Sequence, residues 1–228
     1  GQFYRRTEDI LVQSRPAAVL MIDLDGFKDV NDSLGHAVGD GILRQVAQRL
    51  DRLATAGATV ARIGGDEFAI VQSAQDGMRL AADRLAQRLM QAICAPYEID
   101  GFPLRIALSI GVGIAPVDGE DAAMLMQNAD LALYQAKAAG RRAVRFYNPD
   151  MDLALREERL LENELRHALD RKELEVHYQA IVDLASGRTT GMEALARWRH
   201  PKLGMVPPDR FIRVAERTGQ INSIGAWI

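Results

Sequence analysis

Two glycines and two adjacent acids, Gly64, Gly65, Asp66 and Glu67, stand between the apolar runs "VARI" (60–63) and "FAIV" (68–71). Short β-prone runs flanking a glycine pair read as two strands joined by a tight hairpin. A hairpin commits this part of the chain to antiparallel pairing and carries Asp66 and Glu67 at its tip. Solvated turn acids are the ordinary reading of such a pair. Whether they do more depends on what else the sheet brings to that end.

Residues 17–23, "AAVLMID", form a continuous apolar run ending in an acid, the pattern of a buried strand. Leu43, Val46, Ala47 and Leu50 fall on one helical face, as do Met78, Ala81, Ala82, Leu85 and Leu89 further on. "FPLRIALSIGVGIAP" (102–116) reads as a long strand with small residues near its end. Leu125, Ala129, Ala132, Leu133 and Ala136 mark a third amphipathic helix, with Gly140 where a helix C-cap is expected, and "AVRFY" closes the region as a strand. The order β-α-β-β-α-β-α-β predicts an α/β (α+β) sandwich, helices packed on a mainly antiparallel sheet.

Asn148-Pro149 marks a boundary. A charged helix with a seam of Leu161, Leu165, Ala168 and Leu169 follows and reads as a solvated linker. A second region starts near Leu174 and reaches Ile228 without enough chain to close a core. The expected organisation is a first domain at 1–148, a linker helix at 149–173 and an incomplete second domain at 174–228.

Composition narrows the function. Twenty-eight basic and 31 acidic residues are interspersed and leave a net charge of −3, which argues against a nucleic-acid-coating protein. Cys94 is the only cysteine, excluding an intramolecular disulfide or a multi-cysteine zinc site and fitting a reducing cytoplasm. No apolar run is long enough to span a bilayer, and the N-terminus lacks signal-peptide order. The expectation is a cytoplasmic protein, or the cytoplasmic part of a membrane-anchored one.

Acids recur at strand ends. Asp23 and Asp25 follow the first strand, and Asp66 and Glu67 follow the hairpin's first strand. If both elements are neighbours in one sheet, the carboxylates converge and resist joint ionisation unless a cation neutralises them. Carboxylates with a backbone carbonyl suit Mg²⁺, which keeps part of its shell for substrate phosphates. Gly64 and Gly65 are expected to supply positive φ and to clear space for a phosphate.

"GGDEF" after "ARI", with "DLDGFKDVNDSLGHAVGD" upstream and "ADLALYQAKAAGRR" downstream, resembles the GGDEF family of diguanylate cyclases over about residues 3–147. The resemblance implies a palm-like fold related to nucleotidyl cyclases and polymerases. It implies condensation of two GTP into cyclic di-GMP with release of pyrophosphate, dependent on Mg²⁺ or alternatively Mn²⁺. Asp23, the Leu24 carbonyl and Asp66 would hold the metal. Asp66 would also be the base for the attacking 3′-hydroxyl, and Glu67 would support a second metal position or orient its neighbour. Asn31, His36 and Asp40 would read guanine and ribose. Lys28, Lys137 and Arg141 would bind phosphates, Lys28 standing with Asp66 and Glu67 in the catalytic group. A carboxylate at Asp40 can accept from guanine N1–H and the 2-amino group, which adenine cannot match, so guanine is expected over adenine. Each domain would hold one GTP, so catalysis implies a homodimer.

Other residues have plainer readings. Lys137 and Arg141 could simply complement a helix C-terminus, and His36 could be a helix-start residue. Phe27 and Phe68 read as core and Cys94 as packing.

There are also departures from the family. The family's inhibitory product site, Arg-x-x-Asp, is replaced by Thr55 and Ala58, so weak or absent product feedback is expected. The usual "DxLTGLPNR" stretch is missing, which suggests that an upstream sensor or dimerising segment has been removed.

The C-terminal part resembles the start of an EAL-type cyclic di-GMP phosphodiesterase, TIM-barrel-like in fold, through "HYQAIVDLASGRTTGMEALARWRHPKLG" and "VPPDRFIRVAERTG". Glu193 matches a metal ligand, Gln179 and Arg197 match dinucleotide contacts, and Ala180 replaces the usual proline. With about a third of such a domain and one of its acids, no phosphodiesterase activity is expected, and exposed strand edges predict partial disorder or aggregation. Two functional readings follow: a cyclase in a tandem signalling protein, or a non-catalytic GTP-binding module that regulates the attached phosphodiesterase. A pure scaffold has little to recommend it, since intact clustered acids are costly without a cation.

Overall fold

β1 (Ala17–Asp25) is the middle strand of a five-stranded sheet in a computed structural model that describes residues 1–13, 15–54, 57–74, 77–99 and 101–228. The chain forms two compact units, Gly1–Met151 and Asp152–Ile228. The first begins with α1 (Gln2–Val12), ahead of β1, and continues with α2 (Phe27–Leu34), α3 (His36–Leu53), β2 (Thr59–Gly64) and β3 (Glu67–Ser73). Next come α4 (Met78–Ile93), the small hairpin β4 (Tyr97–Ile99) and β5 (Phe102–Leu104), β6 (Ala107–Ala115), α5 (Ala122–Ala138) and β7 (Val144–Phe146). The sheet order is β2-β3-β1-β6-β7, antiparallel except where β7 runs parallel to β6.

Position in the sheet explains why β1 reads as unbroken apolar sequence. Ala17 through Leu24 are all buried because helices cover both faces. Even-numbered side chains Leu20, Ile22 and Leu24 pack with Phe68 and Ile70 of β3, Ile42, Val46 and Leu50 of α3, and Leu85 and Leu89 of α4. Odd-numbered Ala17, Val19 and Met21 face Leu125, Ala129 and Leu133 of α5 and Phe3 and Ile10 of α1. The small residues of β6 let α5 lie close to the sheet. A Cβ at Gly111 would run into the Ala129 carbonyl and the Leu133 backbone, and one at Gly113 would come to 3.0 Å of the Leu125 carbonyl.

Five sequence expectations need correction. Two helices are additional to the expected order: α1 precedes the first strand, and α2 precedes α3 between β1 and β2. The long strand expected over 102–116 is broken at Arg105-Ile106 into β5 and β6, which belong to different sheets. On α3 the buried face takes Ile42, and Ala47 is exposed, a shift of phase along the helix.

The other two concern the second unit. α6 (Asp150–Ala168) is not a solvated linker, because Leu161, Leu165 and Ala168 are buried with Leu174, Trp198, Phe211 and Val214. The second unit therefore has a core, to which α6 supplies one wall. It contains β8 (Leu174–Val182), β9 (Thr189–His200), β10 (Gly204–Val206), α7 (Pro208–Thr218) and α8 (Ile221–Trp227), in a sheet of order β10-β9-β8. Trp198 is fully buried, its indole N–H donating to Glu173 at 3.0 Å. Tyr178, Ile181 and Met192 remain exposed on β8 and β9.

Candidate functional site

On the α5 side of the sheet, two apolar rows become charged at the same end. The β1 row Ala17, Val19, Met21 continues at period two into Asp23 and Asp25. The α5 row Leu125, Ala129, Leu133 continues at steps of four into Lys137 and then Arg141, just past the helix. Lys137 Nζ lies 2.6 Å from Asp23 Oδ2, and the Asp23 side chain is only 11% exposed. Burial pushes the Asp23 carboxyl above its usual range; the bond and charge of Lys137 oppose this, and the neighbouring charges of Asp66 and Asp25 add to it.

The hairpin tip is held to the same end of β1. Asp23 is the Cα partner of Glu67, and the Leu24 N–H donates to the Asp66 carbonyl at 3.3 Å. Of the two glycines, only Gly65 has positive φ, at 42°. Gly64 instead ends β2 where the register with β3 shifts, which corrects the expectation that both adopt the left-handed turn conformation. A Cβ at either would meet nothing within 4 Å, so the turn faces open space. Arg62 Nε and Nη2 both donate to the Gly65 carbonyl, at 2.9 and 2.7 Å, and secure the turn from β2.

Beside the tip is a cavity of about 330 Å³ lined by Lys28, Asn31, His36, Asp40, Arg62, Gly65 and Asp66, with Phe27 and Leu43. α2 and α3 deliver the first four of these, and Gly35 (φ 85°) makes the corner between the two helices. Asn31 Oδ1 is buried and has no hydrogen-bond partner among the described residues. Gly39 on α3 makes room for it, since a Cβ there would press on Asn31 Oδ1 and the Phe27 ring. A buried amide left unsatisfied beside a cavity is suited to a polar ligand edge. A larger hollow of about 730 Å³ continues along α3 and β2 past Arg44, Ala47, Asp51 and Val60. It shares Asp40, Leu43 and Arg62 with the smaller cavity, which alone adjoins the unsatisfied amide and the hairpin acid.

The donor set fits a hard cation. Among the described residues no three His, Cys, Asp or Glu side chains form a metal-holding group by themselves. Asp23 and Asp66 with the Leu24 carbonyl instead make a partial oxygen set, the kind that leaves Mg²⁺ room for water and phosphate. The acids' mutual repulsion at Asp23, answered by Lys137, indicates a place where positive charge is needed.

The sequence-predicted residues thus fall into two adjoining groups. Lys28, Asn31, His36, Asp40, Gly65 and Asp66 line the cavity, and Asp23, Leu24, Glu67, Lys137 and Arg141 gather at the β1 end. Lys137 pairs with Asp23, so it does more than complement a helix terminus. Phe27 and Phe68 are buried in the core, and Cys94 is half-buried against it. Thr55 lies outside the described residues, and Ala58 packs against the core.

Sequence reasoning missed Arg62, Ser109 and the separate duty of Asp25. Ser109 is the lone polar residue in the buried strand β6, a signal that was available. In the second unit, Gln179 and Glu193 are direct cross-strand partners and Arg197 is paired with Glu175, so all three share one face of the β8–β9 ladder.

Residues 2–143 match the family described as diguanylate cyclase, GGDEF domain, and residues 162–228 match the EAL domain. The chain belongs to the GGDEF family and carries a cyclic di-GMP signalling domain followed by part of an EAL domain. Among curated relatives it is 43% identical over 214 residues to MucR of Pseudomonas aeruginosa, a bifunctional diguanylate cyclase/cyclic di-GMP phosphodiesterase, covering 94% of this chain and 31% of MucR. It is 41% identical over 226 residues to NbdA of the same organism, a cyclic di-GMP phosphodiesterase, covering 99% of this chain and 29% of NbdA. The chain thus spans about a third of the length of these relatives or less. A crystal structure of a sensory box/GGDEF family protein from Caulobacter crescentus is 41% identical, with a TM-score of 0.58 over 60% of this chain and 90% of that one. No helix among the described residues is long and apolar enough to cross a membrane.

Proposed function

We propose that residues 1–148 are a diguanylate cyclase, which joins two GTP molecules into cyclic di-GMP and releases two pyrophosphates. The observation that carries this reading is the unsatisfied amide oxygen of Asn31, which shares a cavity with Asp40 and Asp66 next to the Asp23–Lys137 pair. Guanine enters between α2 and α3, where Asn31 and Asp40 meet its polar edge and His36 lies at the mouth toward the ribose. The triphosphate extends toward the hairpin tip, where Gly64 and Gly65 present no side chain and Lys28, Lys137 and Arg141 supply positive charge. Asp66 accepts the proton of the 3′-hydroxyl that attacks the α-phosphorus of the second nucleotide, and pyrophosphate leaves. Glu67 orients that carboxylate or supports a second metal position. Asp23, the Leu24 carbonyl and Asp66 hold Mg²⁺ or Mn²⁺, which when bound neutralises charge on the phosphates.

Each domain holds one GTP, so two copies face each other for each product. Residues 174–228 carry Glu193, Gln179 and Arg197 without the further acids that hydrolysis needs, and contribute no phosphodiesterase activity by themselves. In the longer protein the domain is cytoplasmic and follows a sensory or dimerising segment.

Likeness to a phosphodiesterase over 99% of this chain favours a second reading, in which the domain binds GTP without turnover and regulates the attached EAL domain. Product analysis separates the two. With GTP and Mg²⁺, the intact tandem protein in its dimeric form yields cyclic di-GMP, and Asp66→Asn abolishes synthesis. GTP-stimulated hydrolysis of cyclic di-GMP with no synthesis would establish the regulatory reading instead.

A further inference from the structure

Asp25 lies two residues from Asp23 on the same face of β1, yet its carboxylate is engaged elsewhere. Ser109 Oγ lies 2.9 and 3.0 Å from its two oxygens, the Arg142 N–H donates to Oδ2 at 3.1 Å, and Arg141 Nε is 4.0 Å from Oδ1. Its side chain is 6% exposed. With both oxygens accepting and a guanidinium alongside, Asp25 has little capacity left for a cation.

The segment it grips has an unusual backbone. α5 ends in a Schellman motif: the Arg141 N–H donates to the Ala136 carbonyl at 3.2 Å and the Gly140 N–H to the Lys137 carbonyl at 3.3 Å. Gly140 (φ 111°), Arg141 (φ 63°) and Arg142 (φ 49°) are three successive residues with positive φ. Glycine adopts that region freely, whereas two consecutive arginines do so only when the surroundings compel them. The bond from the Arg142 N–H to a buried carboxylate is such a compulsion, and it aims the exposed Arg141 side chain along the same end as Lys137.

We propose that Asp25 is a positioning residue, clasping the 140–142 turn with Ser109 behind it so that Arg141 is held ready for the nucleotide's phosphates. This rests on the nucleotide reading of the site and adds to it a residue that touches neither metal nor substrate.

Binding of a fluorescent GTP analogue to the 228-residue chain with Mg²⁺ present, competed by GTP or by guanosine, tests it. Asp25→Ala weakens GTP by about tenfold, roughly 1.4 kcal/mol, and leaves guanosine unchanged. On an Arg141→Ala background the same substitution adds almost nothing, because the two act through one contact. Ser109→Ala, which removes a single hydroxyl, produces a smaller loss in the same direction and serves if Asp25→Ala does not fold. Hydrogen exchange at the Arg142 amide needs no nucleotide: it is slow in the wild type and fast in Asp25→Ala. Equal weakening of GTP and guanosine, additivity with Arg141→Ala, or a fast Arg142 amide in the wild type overturns the clasp. An intact, dimeric tandem protein that binds the analogue but makes no cyclic di-GMP overturns the cyclase reading and leaves the clasp standing. One that binds no guanine nucleotide overturns both.

Discussion

Lys137 Nζ and Asp23 Oδ2 are 2.6 Å apart, joining the last turn of α5 to the end of the central strand. The contact neutralises a carboxylate that burial and two neighbouring acids would otherwise push toward protonation. It also puts an ammonium where the oxygen donors of the site converge. A divalent cation and this lysine therefore serve the same charge deficit.

Removing Lys137 should make the site more dependent on the metal. The lysine is one-third exposed, so the pair is worth less than a fully buried one, about 1 kcal/mol. Lys137→Ala should melt about 3 °C lower in chelator, at the usual scaling for a chain of this size. Millimolar Mg²⁺ should then raise its Tm by more than it raises that of the wild type, since the cation restores charge that the wild type partly has. Calorimetric melts with and without Mg²⁺ decide the matter, and equal Mg²⁺ increments in both proteins would be the wrong outcome for this view of the site.

Guanine selection should reside at Asp40 and Asn31. Asp40→Ala should lower kcat/KM for GTP by about two orders of magnitude while leaving the poor ATP reaction nearly unchanged, since adenine never used that acceptor. Competition kinetics with both nucleotides give the ratio. A uniform loss for GTP and ATP would mean that Asp40 supports the fold or the triphosphate instead of reading the base.

The charged ends of β1 and the hairpin were legible because strand periodicity and turn chemistry are local. A continuous apolar run ending in Asp23 and a glycine pair before Asp66 are enough to suggest that acids meet at one end of a sheet. The α5 stripe was legible for the same reason, whereas Lys137 came only from the resemblance to the GGDEF family. The grip of Asp25 was not, because it depends on Arg141 and Arg142 adopting positive φ, for which their identities give no signal. The α6 seam was visible, but the charged residues around Leu161 and Leu165 argued for solvent, and only the tertiary partners Trp198 and Phe211 show what covers it. On α3 a residue of small volume, Ala47, fits either face, so the pattern could not choose between it and Ile42.

Gly111 should be among the least replaceable residues in the first unit. Its added Cβ would meet the Ala129 carbonyl and the Leu133 backbone, neither of which can rotate away as a flexible side chain could. Gly111→Ala must push α5 off the sheet and should cost about 3 kcal/mol, at the upper end of overpacking effects. Because α5 carries Lys137, phosphate-dependent binding should fall along with stability. Denaturant melts measure the first effect and GTP titration the second. A Gly111→Ala protein of wild-type stability would show that the helix stands farther from β6 than described.

Tyr97 should govern stability at high pH. Its ring is 1% exposed, with the Arg49 guanidinium 3.7 Å from the centroid, and its hydroxyl donates to the Ile93 carbonyl at 2.7 Å. Burial pushes the phenol from 10.0 up to about 12, partly offset by the charge of Arg49. A folded pKa above the unfolded one means that the native state holds its proton longer. The associated stability is complete below pH 10 and is lost as pH rises toward 12, by roughly 3 kcal/mol in all. Tyr97→Phe lacks this dependence and instead gives up one hydrogen bond, about 1 kcal/mol, at every pH. The variant should therefore be less stable than the wild type at neutral pH and more stable near pH 12, with the two unfolding curves crossing at roughly pH 11. Other tyrosines and lysines titrate alike in both proteins and cancel in the difference. Urea melts across this range measure the crossing, and parallel curves from pH 7 to pH 12 would show that the Tyr97 phenol ionises in the folded protein as readily as in the unfolded one.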